Sequence, residues 1–256
     1  MTGLNQFSLT GRVAIVTGSS RGIGRAVAQG LAGVGAVVTV NGRDRELTQT
    51  VADTIAAAGG TSLAVPANIS KTAEIERLIQ TTVDRFGRLD ILVNNAGISP
   101  SYKRAEHVSE AEWDDVIEVN LKGTFLCCQA AGRIMIQQKS GRIVNVSSIG
   151  GRTALPHLIA YCAAKGGVEQ LTRVLAVEWA QHNIMVNAIA PAYVETDLTK
   201  GLRENRKLHE ELIRQTPLGR LAKVEEVVGA AIYLASDAAS YVTGHTLYVD
   251  GGWMAR

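Results

Sequence analysis

The sequence predicts an α/β fold: one doubly wound domain with a seven-stranded parallel sheet and helices on both faces. Three observations carry this. Short, continuous apolar runs rich in Val and Ile recur along the chain, as strands buried on both faces require. Longer amphipathic stretches separate them, so each strand is followed by a crossover helix. A glycine-rich turn stands between the first strand and the first helix. No linker, repeat or low-complexity segment divides the chain, so residues 1–256 read as a single domain.

The elements follow in order. Val13-Ala14-Ile15-Val16-Thr17 is the first strand and Gly22 to Val34 the first helix. Ala36 to Asn41 is the second strand. Asp44 then opens a helix to Ala58 as its N-cap, a short oxygen that accepts from the free first-turn amides. Ser62 to Val65, Lys71 to Phe86 and Leu89 to Val93 read as strand, helix and strand. Ser109 opens a long helix to about Gln138, and Glu112 completes a capping box. Arg142 to Val146 is a strand, His157 to Gln181 a helix and Ile184 to Ala190 a strand. Thr196 to Arg214 is dense in Lys, Arg and Glu. It reads either as a solvated helical face or, from its place after a strand's carboxyl end, as a mobile lid at about 193–215. Val224 to Ala235 is the last helix and Thr246 to Val249 the last strand.

Composition excludes several classes. Apolar residues make up 46% and charged residues 20%, so the chain is a folded globular protein. A net charge of +2 argues against a protein held to nucleic acid by phosphate contacts. The three cysteines, Cys127, Cys128 and Cys162, form no CxxC and fit the reduced thiols of a cytoplasmic protein. Met1 to Leu9 lacks the basic and apolar regions of a signal peptide, and no run of about 18 apolar residues offers a membrane span. The sequons at Asn68 and Asn145 therefore imply no glycan. The five histidines are scattered without the short paired spacings of metal sites, so no metal is expected.

Two local features carry chemistry. The turn Gly18-Ser19-Ser20-Arg21-Gly22-Ile23-Gly24 links a strand to a helix. Glycines let the backbone turn tightly and a phosphate come close, while the helix N-terminus offers free N–H groups to an anion. Tyr161 and Lys165 stand at i, i+4 and share one face of a helix. A phenol with a pKa of about 10 is a poor acid or base at neutral pH, and a neighbouring fixed cation brings it toward the working range.

With these motifs the chain resembles the short-chain dehydrogenase/reductase family over nearly its whole length. They stand as Thr17-Gly18-x-x-x-Gly22-Ile23-Gly24, Asn94-Asn95-Ala96-Gly97, Asn120, Ser148 and Tyr161-x-x-x-Lys165, in the family's order. Pro191-Ala192-Tyr193-Val194-Glu195-Thr196 stands where the family has Pro-Gly-x-x-x-Thr. The chain resembles 3-oxoacyl-carrier-protein reductases and gluconate-type polyol dehydrogenases about equally.

The resemblance implies a Rossmann dinucleotide-binding fold and a nicotinamide cofactor, held by Gly18, Ser20, Arg21, Gly22, Ile23 and Gly24. Asn41, at the end of the second strand, is neutral where an NAD enzyme places an acid on the ribose. Arg43 follows it, and with Arg21 can grip a 2′-phosphate. NADP(H) is therefore expected over NAD(H). An NAD-dependent polyol or alcohol dehydrogenase is the alternative. By resemblance Asn68 lies beside adenine in place of the family's aspartate. Asn95, Ala96 and Gly97 let the backbone approach the cofactor, and Pro191, Val194 and Thr196 meet the nicotinamide end.

The implied reaction is reversible hydride transfer between nicotinamide and a carbonyl carbon. Tyr161 would act as general acid and base. Lys165, with the positive charge of the oxidised nicotinamide, would lower its pKa, and it would also hold the ribose hydroxyls. Ser148 matches the family's separation from the tyrosine, with Ser147 as the fallback; it would hold the substrate oxygen. Asn120 would kink its helix and hold a water against Lys165. Cys162 has no partner base and reads as packing. Ile98, Ser99, Ile149, Gly150, Leu158 and Tyr193, with Ser148 and Tyr161, should line a pocket suited to an apolar or cyclic ketone at least as well as to a free sugar. Lys103 and Arg104 either attract a carboxylate or are merely solvated. Lys139 and His182 make too thin a basic patch to claim a carrier protein. The partner is a small carbonyl or alcohol, with no nucleic acid and no membrane. By resemblance, the long helices and the final strand build a homotetramer. The competing class is a non-catalytic nucleotide-binding member of the same fold, which need not keep Asn120, Ser148, Tyr161 and Lys165 together.

Overall fold

Alternation of side chains across each strand divides the interior into two layers. The computed structural model describes residues 3–256. Its strands are β1 (Val13–Val16), β2 (Val37–Gly42), β3 (Thr61–Pro66), β4 (Ile91–Asn94), β5 (Gly141–Val146), β6 (Ile184–Pro191) and β7 (Thr246–Val249). They form one parallel sheet in the order β3-β2-β1-β4-β5-β6-β7. Ala14, Val16, Val38, Val40, Ile91, Val93, Val144 and Ile189 point to one face. There they meet α1 (Gly22–Gly33), α2 (Arg45–Ala57) and α9 (Glu225–Ala235). Ile15, Leu92, Ile143 and Val186 point to the other, against α3 (Thr72–Phe86), α5 (Thr124–Gln138) and α6 (Ile159–Trp179). Burial on both faces is why these strands read as unbroken apolar runs.

Close helix packing relies on small residues. A Cβ on Gly30 of α1 would collide with Val228 of α9, and one on Gly132 of α5 would lie 2.5 Å from the Trp179 ring of α6. Asp44 caps α2 by accepting from the Leu47 amide at 3.0 Å, and Ser109 with Glu112 closes its capping box.

One region differs from the sequence reading, and one is helical as it was read. The long helix from Ser109 is three pieces: α4 (Glu110–Ile117), a π-helical turn over Glu118–Gly123, and α5. The polar stretch after β6 folds into α7 (Lys200–Glu204) and α8 (Arg206–Gln215).

The sheet order reverses between β1 and β4, since the chain winds outward to β3 and then crosses back to β4. In such sheets the carboxyl ends at the reversal leave a crevice where ligands bind. Among the described residues no helix is long and apolar enough to cross a membrane.

Candidate active site

The crevice opens into a cavity of about 1040 Å³ that runs from the glycine turn to the far side of α6. At its near end the walls are backbone. Gly18 and Gly22 sit at φ +62° and +56°, where a side chain is strained. A Cβ on Gly18 would lie 2.7 Å from the Ala96 Cα, and one on Gly24 would collide with the Gly18 carbonyl and the Asn95 amide. Gly24 thus packs the turn and does not line the cavity.

The turn is clamped to β4. The Thr17 hydroxyl accepts from the amides of Asn95 at 3.0 Å and Ala96 at 3.2 Å. The Asn95 side chain donates to the carbonyls of Thr17 and Gly18, both at 3.0 Å. The first amides of α1 therefore face the cavity with no intrahelical acceptor.

Asn41 is buried and its amide is committed. Its nitrogen donates to the Val65 and Ala67 carbonyls at 3.1 Å each, and its oxygen accepts from the Gly18 amide at 3.4 Å. An aspartate could not make the two donated bonds, so a neutral residue here is a packing requirement. The Asn68 oxygen accepts from the Ser70 amide and hydroxyl at 3.1 and 3.0 Å. Arg43 is exposed on the rim, and Arg21 lies 3.6 Å from Asp197, both side chains exposed.

Tyr161 and Lys165 occupy the first two turns of α6, whose axis aims them at the ends of β4 and β5. Lys165 is 5% exposed. Its ammonium donates to the Val146 carbonyl at 2.7 Å and stands 5.6 Å from the centroid of the Tyr161 ring. Burial lowers the Lys165 pKa to about 8. Burial also raises that of Tyr161; the Ser148 hydrogen bond opposes the rise and Cys162 adds to it.

The lysine and the charge of an oxidised nicotinamide were together expected to pull the phenol down; in the chain by itself, with the ammonium turned to Val146, desolvation is the larger influence and the phenol moves up.

Ser148 ends β5, and its hydroxyl accepts from the Gly150 amide at 3.1 Å. Gly150 supports the serine from behind and does not line the cavity. Asn120 lies in the π-helical turn, fully buried, and also stands outside the cavity wall. Its side chain accepts from the Ile98 amide and donates to the Ile98 carbonyl, both at 2.8 Å. A Cβ on Gly97 would lie 3.3 Å from the Asn120 oxygen and 3.7 Å from the Lys165 nitrogen. The bare glycine keeps the space between them open.

The remaining residues singled out from sequence line the cavity: Ser20, Arg21, Ile23, Ala96, Pro191, Val194 and Thr196 toward the turn, and Ser99, Leu158 and Tyr193 toward the far end. Sequence reasoning missed Tyr102 and Leu155, which also line it; Leu202 and Leu208 come from the stretch expected as a lid. No spacing marks them, because separate loops and helices α7 and α8 bring them together. Lys103, considered for a carboxylate, is paired with Glu112 at 2.6 Å. Cys127 and Cys128 are buried thiols raised by desolvation, Cys127 to about 12.

Comparison with known proteins follows from this geometry. A family model described as enoyl-(acyl carrier protein) reductase matches residues 18–254. The chain is 43% identical over 247 residues to the 3-oxoacyl-(acyl-carrier-protein) reductase of Synechocystis sp., covering 96% of this chain and 98% of that one. It belongs to the short-chain dehydrogenase/reductase family. It is thereby an oxidoreductase of the family's alcohol–carbonyl type. Another relative, the 5-keto-D-gluconate 5-reductase of Escherichia coli K12, is 38% identical over 248 residues, 97% of each chain. The gluconate 5-dehydrogenase of Burkholderia cenocepacia, solved in complex with NADP and tartrate, superposes with a TM-score of 0.96 at 38% identity over 99% of each chain.

Proposed function

We propose that this short-chain dehydrogenase/reductase interconverts a ketone and a secondary alcohol with NADP(H), and that Tyr161 moves the proton. One observation carries the reading: a half-buried Tyr161 and a buried Lys165 and Ser148 share a single cavity with a helix N-terminus built from glycines.

A dinucleotide fits the residues present, since the glycine cradle is one that any Cβ would fill. The first-turn amides of α1 would hold its pyrophosphate. Arg21 and Arg43 would hold a 2′-phosphate, and Asn68 would lie by the adenine. Thr196, Val194 and Pro191 would meet the nicotinamide end, and Lys165 the ribose. A relative solved with NADP supports that choice over NAD. When bound, the nicotinamide supplies or takes the hydride.

The chain's own residues do the rest. Burial keeps the Tyr161 phenol protonated at neutral pH, as a donor to a carbonyl oxygen must be. Ser148 stands beside it as the second partner for that oxygen, where a developing charge is stabilised by donors already in place. Lys165, anchored by Val146, sets the electrostatics behind the phenol. Asn120 fastens the π-helical turn to the Ile98 loop and so fixes the floor of the site. Helices α7 and α8 act as a lid over the substrate end.

Trp113, Phe125, Val174 and Val177 leave apolar surface exposed on α4, α5 and α6, which supports a homo-oligomer of the tetrameric kind. The free thiols support a cytoplasmic location.

The test is a panel of ketones with NADPH and with NADH. A kcat/KM ratio of about tenfold or more for NADPH is expected, about 1.4 kcal/mol. Equal values would move the assignment to the NAD-dependent alternative. NADPH binding without turnover of any ketone or alcohol would favour a non-catalytic member of the fold.

A further inference from the structure

We infer that the substrate end of this cavity takes an uncharged, apolar ketone and turns away anionic sugar acids. The inference rests on the hydride-transfer reading above and concerns what that site admits. Beyond Tyr161 the wall is made by Tyr102, Leu155, Leu158, Tyr193, Leu202 and Leu208. Two aromatic members are fixed by ring contacts: Tyr193 against Trp253 at 5.3 Å between centroids, and Tyr102 against His157 at 4.8 Å. Flat, rigid walls of this kind suit a compact apolar body.

The charges near this wall decide the rest. Among the described residues lining the cavity, the Lys and Arg side chains are Arg21, Arg43 and Lys165. The arginines stand at the glycine-turn end, and Lys165 is committed to the Val146 carbonyl. Basic groups nearer the far wall point elsewhere. The Lys103 ammonium lies 2.6 Å from Glu112, and the Arg203 guanidinium donates to the Thr196 carbonyl at 3.0 Å.

The tyrosines of this wall stay neutral, and the carboxylate that weighs on them is an exposed one on α8. Burial and then the Glu211 carboxylate of α8 raise the Tyr102 phenol. Burial, followed by Tyr102, Cys162, Tyr161 and Glu211, pushes Tyr193 up to about 12. A carboxylate entering this space would lose its hydration against a wall whose lining residues offer it no cation beyond Lys165, itself donating to Val146. A neutral ketone loses little, and gains the apolar contact.

The test compares kcat/KM for 4-methylcyclohexanone and for 5-keto-D-gluconate on the wild-type chain with NADPH. At least about a tenfold advantage for the ring ketone is expected. Glu211→Gln should raise the value for the sugar acid about twofold to fivefold, more than for the ketone, and added salt should erase that difference, because Glu211 is exposed and screened. Equal or faster reduction of the sugar acid, lost in Tyr161→Phe, would overturn the inference and leave the hydride-transfer reading standing. Reduction of neither probe by an enzyme that reduces another ketone would also overturn it. Rates indifferent to Tyr161→Phe would bring down the underlying reading as well.

Discussion

At the glycine-turn end of the cavity the walls are backbone. Positive-φ glycines, the clamp of Thr17 and Asn95, and the first amides of α1 leave little freedom in which atoms face inward. At the far end the walls are side chains from four separate places: the loop after β4, the loop before α6, the end of β6, and helices α7 and α8. The first surface fits one chemical object, a phosphate. The second is set by whichever side chains the loops carry, and can change without touching the fold. Tyr161, Ser148 and Lys165 sit where the two surfaces meet.

Substitutions at the backbone end should be severe and blind to substrate. Gly18→Ala forces a side chain into a left-handed conformation and against the Ala96 Cα at 2.7 Å. Strain of about 1–2 kcal/mol before the clash is counted, with the clash added, should weaken NADPH binding by about a hundredfold or more, read by fluorescence titration. Near-normal affinity would show that the cradle is softer than its geometry.

A smaller effect is expected from Asn41→Asp. It removes the bonds to Val65 and Ala67 and leaves two buried carbonyls without donors. About 1–3 kcal/mol of stability should be lost, a fall of several degrees in Tm for a chain of this size. NADPH should lose more affinity than NADH, and an unchanged melting curve would remove Asn41 from the turn's support.

The smallest effect concerns pH. Lys165 titrates at about 8 in the native state, against an ordinary value of 10.5. Between these values the unfolded chain holds the extra proton, so stability contributed through this group rises with pH across that window and is lost as pH falls through about 8. Urea midpoints measured against pH should show the rise in the wild type and its absence in Lys165→Met. A rise that survives the substitution would assign it to another group.

Much of the fold was legible because burial on both faces writes continuous apolar strands, and because Asp44 and Ser109 cap their helices with side chains. The glycine-turn end was legible for the same reason it is rigid: glycines mark where a Cβ cannot stand. A kink at Asn120 was expected from the family resemblance, but its π-helical form was not legible, since a single asparagine within a helical pattern gives no sign of which acceptor its neighbours choose. Gly24, read as part of the cofactor turn, and Gly150, read as part of the substrate pocket, stand behind the cavity lining, because a motif gives spacing and not direction. The upward shift of the Tyr161 phenol was hidden too. It comes first from desolvation of the phenol, which the i, i+4 spacing does not show. The far wall is assembled across long sequence separations, and no local pattern announces it.

The central claim, that the phenol of Tyr161 hands its proton to a reduced carbonyl, is reached most directly by kcat for NADPH-driven ketone reduction at neutral pH in Tyr161→Phe. The ring and its packing survive, and the hydroxyl alone is lost. A fall of at least about a hundredfold with NADPH affinity little changed is the expected result; kcat equal to that of the wild type would contradict the claim.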